Sequence, residues 1–94
     1  MSTRTCPAFS LGQIVATPNA LLAQITQEDI MAALLRHVVG DWGDVGAGDK
    51  LANNRAVVEG TRILSAYRAA NGTKFWIVTE ADRSATTFLL PEDY

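Results

Sequence analysis

The chain has 94 residues, a length typical of one domain, and 48% of them are hydrophobic while 19% are charged, which indicates a globular rather than a disordered protein. With 8 basic and 10 acidic residues and a formal net charge of −2, it lacks both the basic excess of a nucleic-acid-binding protein and the dense acidity of a DNA mimic. We read neither a secretory leader nor an apolar run approaching the ~20 residues of a membrane span. A cytoplasmic protein is therefore expected.

The N-terminal stretch is polar and contains the single cysteine, Cys6. One cysteine excludes an internal disulfide and a cysteine-based zinc site. Residues 1–8 are predicted to be a flexible leader, with Cys6 in solvent rather than acting as a nucleophile. A single domain is predicted over residues 9–94.

A strand and a short helix are predicted next. Phe9–Ala16 alternates in the manner of a strand, and Gly12 marks a bulge or a close backbone approach within it. Thr17 and Pro18 supply the N-cap and the first residue of a helix that reaches about Ile25. The residues expected to face inward from this helix are Leu21, Leu22 and Ile25.

Two longer helices follow. The first begins at Thr26, with Asp29 completing a capping box, and stops at Gly40; its expected inward residues are Ile30, Met31, Leu34, Leu35 and Val38. The second is predicted from Asp49 to Glu59 and ends at Gly60. Its expected inward residues are Leu51, Ala52, Ala56 and Val58, with Asn54 and Arg55 facing outward.

The last third of the chain has the pattern of a β-meander. Strands are predicted over residues 61–69, 73–80 and 85–90, and Asn71-Gly72 is a strong hairpin signal between the first two. Phe75–Val78 is apolar on both faces, which predicts a central strand. The predicted fold is α+β: an N-terminal strand, two to three helices and a C-terminal three-stranded antiparallel meander, in a single sheet with the helices packed on one face.

The loop Gly40–Asp44 places Trp42 between two glycines and two aspartates. If the indole is buried, its N–H needs an acceptor, which Asp41 or Asp44 could supply. If it is exposed, it is the kind of residue that dominates binding energy at interfaces. The sequence leaves these two interpretations open.

Two groups of polar residues are candidates for chemistry. His37, Asp41 and Asp44 could converge on a metal or acid/base site, although a histidine in a last helical turn is also favoured by the helix dipole alone. Glu80, Asp82 and Arg83 cluster at a turn, where Asp commonly bonds its own backbone and Arg83 could pair with either acid. No catalytic residue, metal ligand or cofactor is assigned. The residues assigned to partner binding are Asp41, Trp42, Asp44, Glu80, Asp82 and Arg83.

The segments Gly40–Asp44, Asn71–Ser84 and Leu89–Pro91, together with His37, resemble a widespread set of small uncharacterised bacterial proteins. These are often carried on plasmids and other mobile elements and are sometimes labelled as restriction-modification or plasmid-related proteins. The resemblance extends from Phe9 to Tyr94 and transfers no catalytic role. It implies a mobile-element setting, in which small acidic proteins often block host defence systems.

Three hypotheses follow. The favoured one is a non-enzymatic protein-binding module that inhibits a host defence complex, such as CRISPR–Cas or restriction, by steric occlusion through the Trp42 loop and one face of the sheet. Its partner would be an unidentified host protein, with no nucleic acid or membrane partner. The alternatives are a small metal-dependent or acid/base enzyme using His37, Asp41 and Asp44, and a homodimeric accessory protein that pairs through Phe75–Val78. The sequence is compatible with a monomer or a homodimer.

Overall fold

The structure is a computed structural model that describes residues 7–94. Cys6 and most of the predicted leader therefore lie outside the described residues. The elements are β1 (Gln13–Ala16), α1 (Pro18–Leu22), α2 (Gln27–Val38), α3 (Ala47–Glu59), β2 (Ile63–Arg68), β3 (Lys74–Thr79), β4 (Ala85–Leu89) and a 3₁₀ turn (Pro91–Asp93). Over this part of the chain, every helix is too short or too polar to cross a membrane.

The predicted α+β fold is confirmed, and its four strands form one sheet in the order β1-β4-β3-β2. β2, β3 and β4 are antiparallel neighbours, as the meander prediction required. β1 lies parallel to β4, with Gln13 opposite Ala85, so the sheet is mixed rather than purely antiparallel. Such parallel pairing needs a long crossover between the strands, and here the intervening chain includes all three helices.

The predicted starts of α1 and α2 are confirmed because they depend on local chemistry, whereas α3 begins at Ala47 rather than at the predicted Asp49 and has no side-chain cap at Gly46. The Thr17 hydroxyl accepts a hydrogen bond from the N–H of Ala20. At the start of α2, Thr26 and Asp29 form the reciprocal capping box. Beyond the end of α2, Gly40 has a φ of 90°, a conformation that glycine adopts without strain.

The predicted inward faces of α1 and α2 are partly wrong. Leu21 and Leu22 are 69% and 79% exposed, and Met31 and Leu35 are also exposed. The helix α1 has only five residues, too few to present a continuous stripe to the sheet. On α2 the face that meets the sheet is narrower than predicted and includes the small, buried Ala33.

The helix α3 lies against the edge strand β2 rather than on the face of the sheet that α2 covers. Of its predicted inward residues, Ala56 is buried, but Leu51, Ala52 and Val58 are exposed; Asn53, which was not predicted to face inward, is buried. The Asn53 side chain explains the docking: its amide donates to the Leu64 carbonyl at 2.8 Å and accepts from the Leu64 N–H at 3.2 Å. The orientation of α3 is therefore set by an amide paired with a strand edge together with a small apolar contact of Ala56 with Trp42 and Ile63.

The strand β3 is central, as its two-sided apolar pattern predicted. The first strand is shorter than predicted, because Phe9–Gly12 is irregular and β1 begins only at Gln13. Ala8, assigned to the leader, belongs to the fold, since its N–H bonds the Val38 carbonyl at 2.8 Å. Gly12 marks the predicted close approach: it has a φ of 64°, and a side chain there would overlap the Ser84 carbonyl.

Candidate functional site

The Gly40–Asp44 loop is bound to the outer edge of β2. The Ala66 N–H donates to the Trp42 carbonyl at 3.2 Å, and the Asp44 N–H donates to the Ala66 carbonyl at 2.8 Å. Gly43 pairs with Ala66 as a parallel bridge and has a φ of 72°. A Cβ on Gly43 would overlap the Ala66 carbonyl oxygen, so the loop requires glycine at this position.

Trp42 is an interior residue of this corner, with only 4% of its surface exposed. Its indole N–H donates to the Asn54 side-chain oxygen at 2.9 Å, and not to Asp41 or Asp44 as the sequence suggested. The ring stacks near Phe9, at a centroid distance of 6.2 Å. In this structure Trp42 fastens the loop to α3 and is not available as a surface contact.

Asp41 lies on the surface but already has a partner. Arg36 holds it through two hydrogen bonds of 2.8 and 3.2 Å, and the Asp41 carboxylate also accepts from the Gly43 N–H. The Arg36 bond is the main cause that lowers the pKa of Asp41 below its usual 3.8. Asp41 therefore acts as a turn and ion-pair residue.

His37 is fully buried at the centre of a hydrogen-bonded chain of side chains that the sequence did not predict. Its Nδ1 contacts the Ser65 hydroxyl, and its Nε2 lies 2.8 Å from Thr79 Oγ1. Thr79 Oγ1 lies 2.8 Å from Thr86 Oγ1, which donates to the Leu11 carbonyl at 2.6 Å. All four of these side-chain groups are fully buried.

The protons in this chain have one consistent direction. A carbonyl oxygen only accepts hydrogen bonds, so the Thr86 hydroxyl donates its single proton to the Leu11 carbonyl. Thr86 must therefore accept a hydrogen bond from the Thr79 hydroxyl. Thr79 then has no proton left for His37, so Nε2 carries a proton and donates it to Thr79. When the ring is neutral, Nδ1 accepts from the Ser65 hydroxyl; when it is charged, Nδ1 would donate to that hydroxyl instead.

The surroundings of His37 keep it neutral. Burial, and then the positive charge of Arg83, lower the pKa of His37 from 6.5 to about 4. Both ring nitrogens are already bonded to buried hydroxyls. The structure therefore does not join His37 to Asp41 and Asp44, and within residues 7–94 no three His, Cys, Asp or Glu side chains are grouped to hold a metal.

The Glu80–Arg83 turn is also held by internal bonds. Arg83 has a φ of 61°, and its guanidinium donates to the carbonyls of Ala56, Thr61 and Glu80 rather than to the two carboxylates. Asp82 accepts from the Ser84 N–H, and a hydrogen bond with Ser84 lowers the pKa of Asp82. The Arg83 side chain thus ties the turn to the C-terminal end of α3.

A groove of about 450 Å³ opens on the face of the sheet opposite α2. Leu64 and Ala66 on β2 and Trp76 on β3 line it, and they share one face because Ala66 lies opposite Trp76 and side chains alternate along each strand. Asp49 and Ala52 of α3 form the opposite wall. The volume is within the roughly 300–1,000 Å³ range of ligand pockets.

The aromatic side of the groove, formed by Trp76, is supported by a series of contacts through Tyr94 and Arg62 to Glu80. Trp76 meets the Tyr94 ring edge to face, with centroids 5.4 Å apart. Arg62 lies over the Tyr94 ring at 5.1 Å and donates to its hydroxyl at 2.7 Å. Glu80 in turn lies 3.6 Å from Arg62. Two residues of the predicted binding set therefore relate to the groove: Glu80 through this series of contacts, and Asp44 as a lining residue.

The sequence did contain a signal for the buried chain of hydroxyls. Ser65, Thr79 and Thr86 occupy the alternate positions of their strands that also hold the core residues Tyr67, Ile77 and Phe88. Polar groups on a core face require partners. The groove had no comparable signal, because it depends on where α3 and Tyr94 meet the sheet.

Comparisons of the chain with protein-family models, with curated proteins and with solved structures found no match. The function therefore has to be inferred from the geometry of the described residues. Among the residues predicted from sequence, Asp44 lines the groove and Glu80 contacts Arg62 beside it. The other four are engaged in local structure: Asp41, Trp42, Asp82 and Arg83.

Proposed function

We propose that this protein is a non-enzymatic protein-binding module that receives a segment of its partner in the groove between α3 and the outer face of the sheet. The groove itself is the observation that carries the proposal. Its volume of about 450 Å³ suits a short segment of a partner, and the small Ala66 is one of its lining residues. The braced Trp76 and Tyr94 rings offer apolar area in a fixed orientation, which lowers the entropic cost of binding.

The internal bonding of the other candidate groups supports a binding role over an enzymatic one. A general base must reach the proton it abstracts, whereas His37 is enclosed and bonded at both ring nitrogens. Asp41 is already paired with Arg36. The enzyme alternative would need both groups to be rearranged.

The resemblance to mobile-element proteins makes a host defence complex the first partner to test. Inhibition by steric occlusion remains the proposed mode of action. The contact surface now proposed is the groove with Asp44 at its rim, since the Trp42 side chain is buried.

A matched pair of helix-surface substitutions tests this proposal. Ala52 lines the groove on α3, whereas Ala32 is an exposed residue on α2. Tagged wild-type protein and the Ala52→Trp and Ala32→Trp variants would be incubated with lysate from a host that carries active defence systems. Quantitative mass spectrometry would then measure the captured protein. Ala52→Trp should abolish stoichiometric capture by filling the groove, and Ala32→Trp should retain it.

Two results would contradict the groove proposal. One is equal capture by both variants, which would place the contact elsewhere. The other is the absence of a stoichiometric partner combined with turnover of a small molecule, which would restore the enzyme hypothesis.

A homodimer is a second candidate, and the outer edge of β1 is the observation that favours it. β3 is an internal strand and leaves no strand edge for a partner, but β1 is an edge strand with Ile14 45% and Val15 41% exposed. Within residues 7–94, no strand pairs with that edge. Exposed edges of this kind are sites for strand addition.

Light scattering would test the dimer directly. Wild-type protein should double its mass as concentration rises, and Ile14→Lys should stay monomeric because a charge on this edge opposes pairing. A monomer at every concentration of the wild-type protein would remove this candidate.

A further inference from the structure

Three of the four charged residues that line the groove have no ion pair within residues 7–94, and two of these three are acids. The Asp44 and Asp49 carboxylates line the side next to α3, and neither forms an ion pair within residues 7–94. Lys74 is the corresponding unpaired base across the groove. The fourth charged lining residue, Arg62, is offset by Glu80. The four charged lining side chains sum to zero, and the excess of acid over base is confined to the side next to α3, where Asp44 and Asp49 have no ion pair.

The aromatic wall adds a second reason for a cation to enter. Trp76 is partly exposed, and its indole N–H donates to no residue in the described part of the chain. Arg62 already lies over the Tyr94 ring, whereas no arginine or lysine of the described residues lies over Trp76. A cation over the face of a tryptophan is attracted by about 0.5–1 kcal/mol at an exposed site, and by more when water is excluded.

An anion would find a poorer site in the same groove. Its one free positive partner would be Lys74, and it would face the two carboxylates across the opening. Asp49 also lies in the first turn of α3, where it already uses the positive end of the helix dipole.

We propose that the groove selects a basic side chain, an arginine or lysine flanked by apolar residues in an exposed segment of the partner protein. Its cationic group lies between the carboxylates of Asp44 and Asp49, and its methylene stem packs over Leu64 and Ala66 against Trp76. This inference rests on the proposed binding function and specifies the chemistry of the segment that is bound.

Three capped tripeptides would test the charge preference. The probes are the acetylated amides of leucine–arginine–leucine, leucine–citrulline–leucine and leucine–glutamate–leucine. Citrulline keeps the shape of arginine without its charge. The readout is the indole N–H signal in a ¹H–¹⁵N spectrum, because the chain has only two tryptophans. Trp76 should report on the groove, and the buried Trp42 serves as an internal reference.

The arginine peptide should shift the Trp76 signal and leave the Trp42 signal in place, and the other two peptides should bind at least about fivefold more weakly. The double variant Asp44→Asn/Asp49→Asn should weaken the arginine peptide by about tenfold. The control variant Glu28→Gln/Glu59→Gln removes the same total charge outside the groove and should change the affinity by less than about twofold.

Equal shifts of Trp76 with the citrulline or glutamate peptide would overturn the proposed charge selection while leaving the groove as a binding site. Equal weakening by both double variants would also overturn it, because only the total charge would then matter. Absence of any shift, in a protein whose partner capture is still abolished by Ala52→Trp, would refute the basic side chain and retain the binding module.

Discussion

Acid should destabilise this protein through His37, the histidine enclosed between α2 and the sheet. Burial, followed by the charge of Arg83, lowers the pKa of His37 from 6.5 to about 4 in the folded protein, while the unfolded chain titrates near its ordinary value of about 6.5. Between these pH values the unfolded chain binds more protons than the folded protein. The free energy of unfolding therefore falls as the pH falls.

The expected loss can be worked from the gap between 6.5 and about 4. One pKa unit corresponds to about 1.4 kcal/mol, so the full window is worth about 3 kcal/mol, and about 2 kcal/mol should be lost between pH 7 and pH 5. Surface carboxylates affect a different range. The hydrogen bond with Arg36 is the main cause that lowers the pKa of Asp41. The stability that Asp41 contributes is therefore lost only as the pH falls through its pKa in the folded protein, which lies below 3.8.

Urea denaturation followed by tryptophan fluorescence, repeated between about pH 7 and pH 4, would measure this loss. The control is His37→Gln, whose amide stays neutral throughout the window. That variant should be less stable at pH 7, because its amide cannot reproduce both ring bonds, but its stability should vary less with pH above 4. Equal pH dependence in the two proteins would refute the role of His37. So would an NMR titration of the wild-type ring with a pKa near 6.5, which does not require the variant to fold.

Three further substitutions each test a different contribution to the stability of the fold. Gly43→Ala should cost more than about 2 kcal/mol of unfolding free energy, because the new methyl group overlaps the edge of β2. Its control is Gly60→Ala, at a similar positive φ but with open space around it. This control should cost only about 1 kcal/mol. Asn53→Ala should cost about 1–3 kcal/mol by removing two hydrogen bonds to β2, and retention of full thermal stability would contradict its docking role. Asp41→Asn should cost less than about 1 kcal/mol of unfolding free energy, because both side chains of the Arg36–Asp41 pair are about half exposed to solvent. A larger loss in urea denaturation would contradict the weak, solvent-screened pair.

Features governed by neighbouring residues were predictable. The capping box at Thr26, the proline start of α1 and the Asn71-Gly72 hairpin all appear where the sequence indicated them. Each is decided within four or so residues by hydrogen bonding or backbone sterics, so tertiary packing has little room to override it. The central position of β3 also followed from its pattern, since apolar residues on both faces favour the inside of a sheet over its edge. The outer face of β3 is nevertheless open at Trp76, which lines the groove.

The inward faces of the helices were less predictable. Leu51 and Val58 have the spacing of a buried stripe, yet they are exposed because Asn53 pairs with the edge of β2. Hydrophobic spacing reports which residues could face a core but not which surface another element presents. For α3 the partner is a strand edge, where an amide satisfies the backbone better than a leucine would.

The candidate site was predicted only in fragments. The sequence identified Asp44 and Glu80, but not the groove that relates them, because Trp76 and Tyr94 meet only after the C-terminal segment folds across the sheet. Trp42 was correctly seen as demanding either burial or a partner. The choice between these outcomes depended on Asn54, which lies 12 residues further along the chain and reaches the indole only once α3 has docked.

By itself, the sequence determined a small α+β domain, the starts of its first two helices, its tight hairpin and its central strand, because these depend on local sterics, capping and alternation. The tertiary structure alone decided that β1 pairs parallel to β4, that Trp42 is enclosed, and that a charged, aromatic groove opens beside α3. It also decided the burial and the hydrogen bonds of His37, whose partners Ser65 and Thr79 lie 28 and 42 residues away in the sequence. Contacts over such separations form only when the elements pack together, and local residue patterns contain no information about which distant hydroxyl will meet which ring nitrogen.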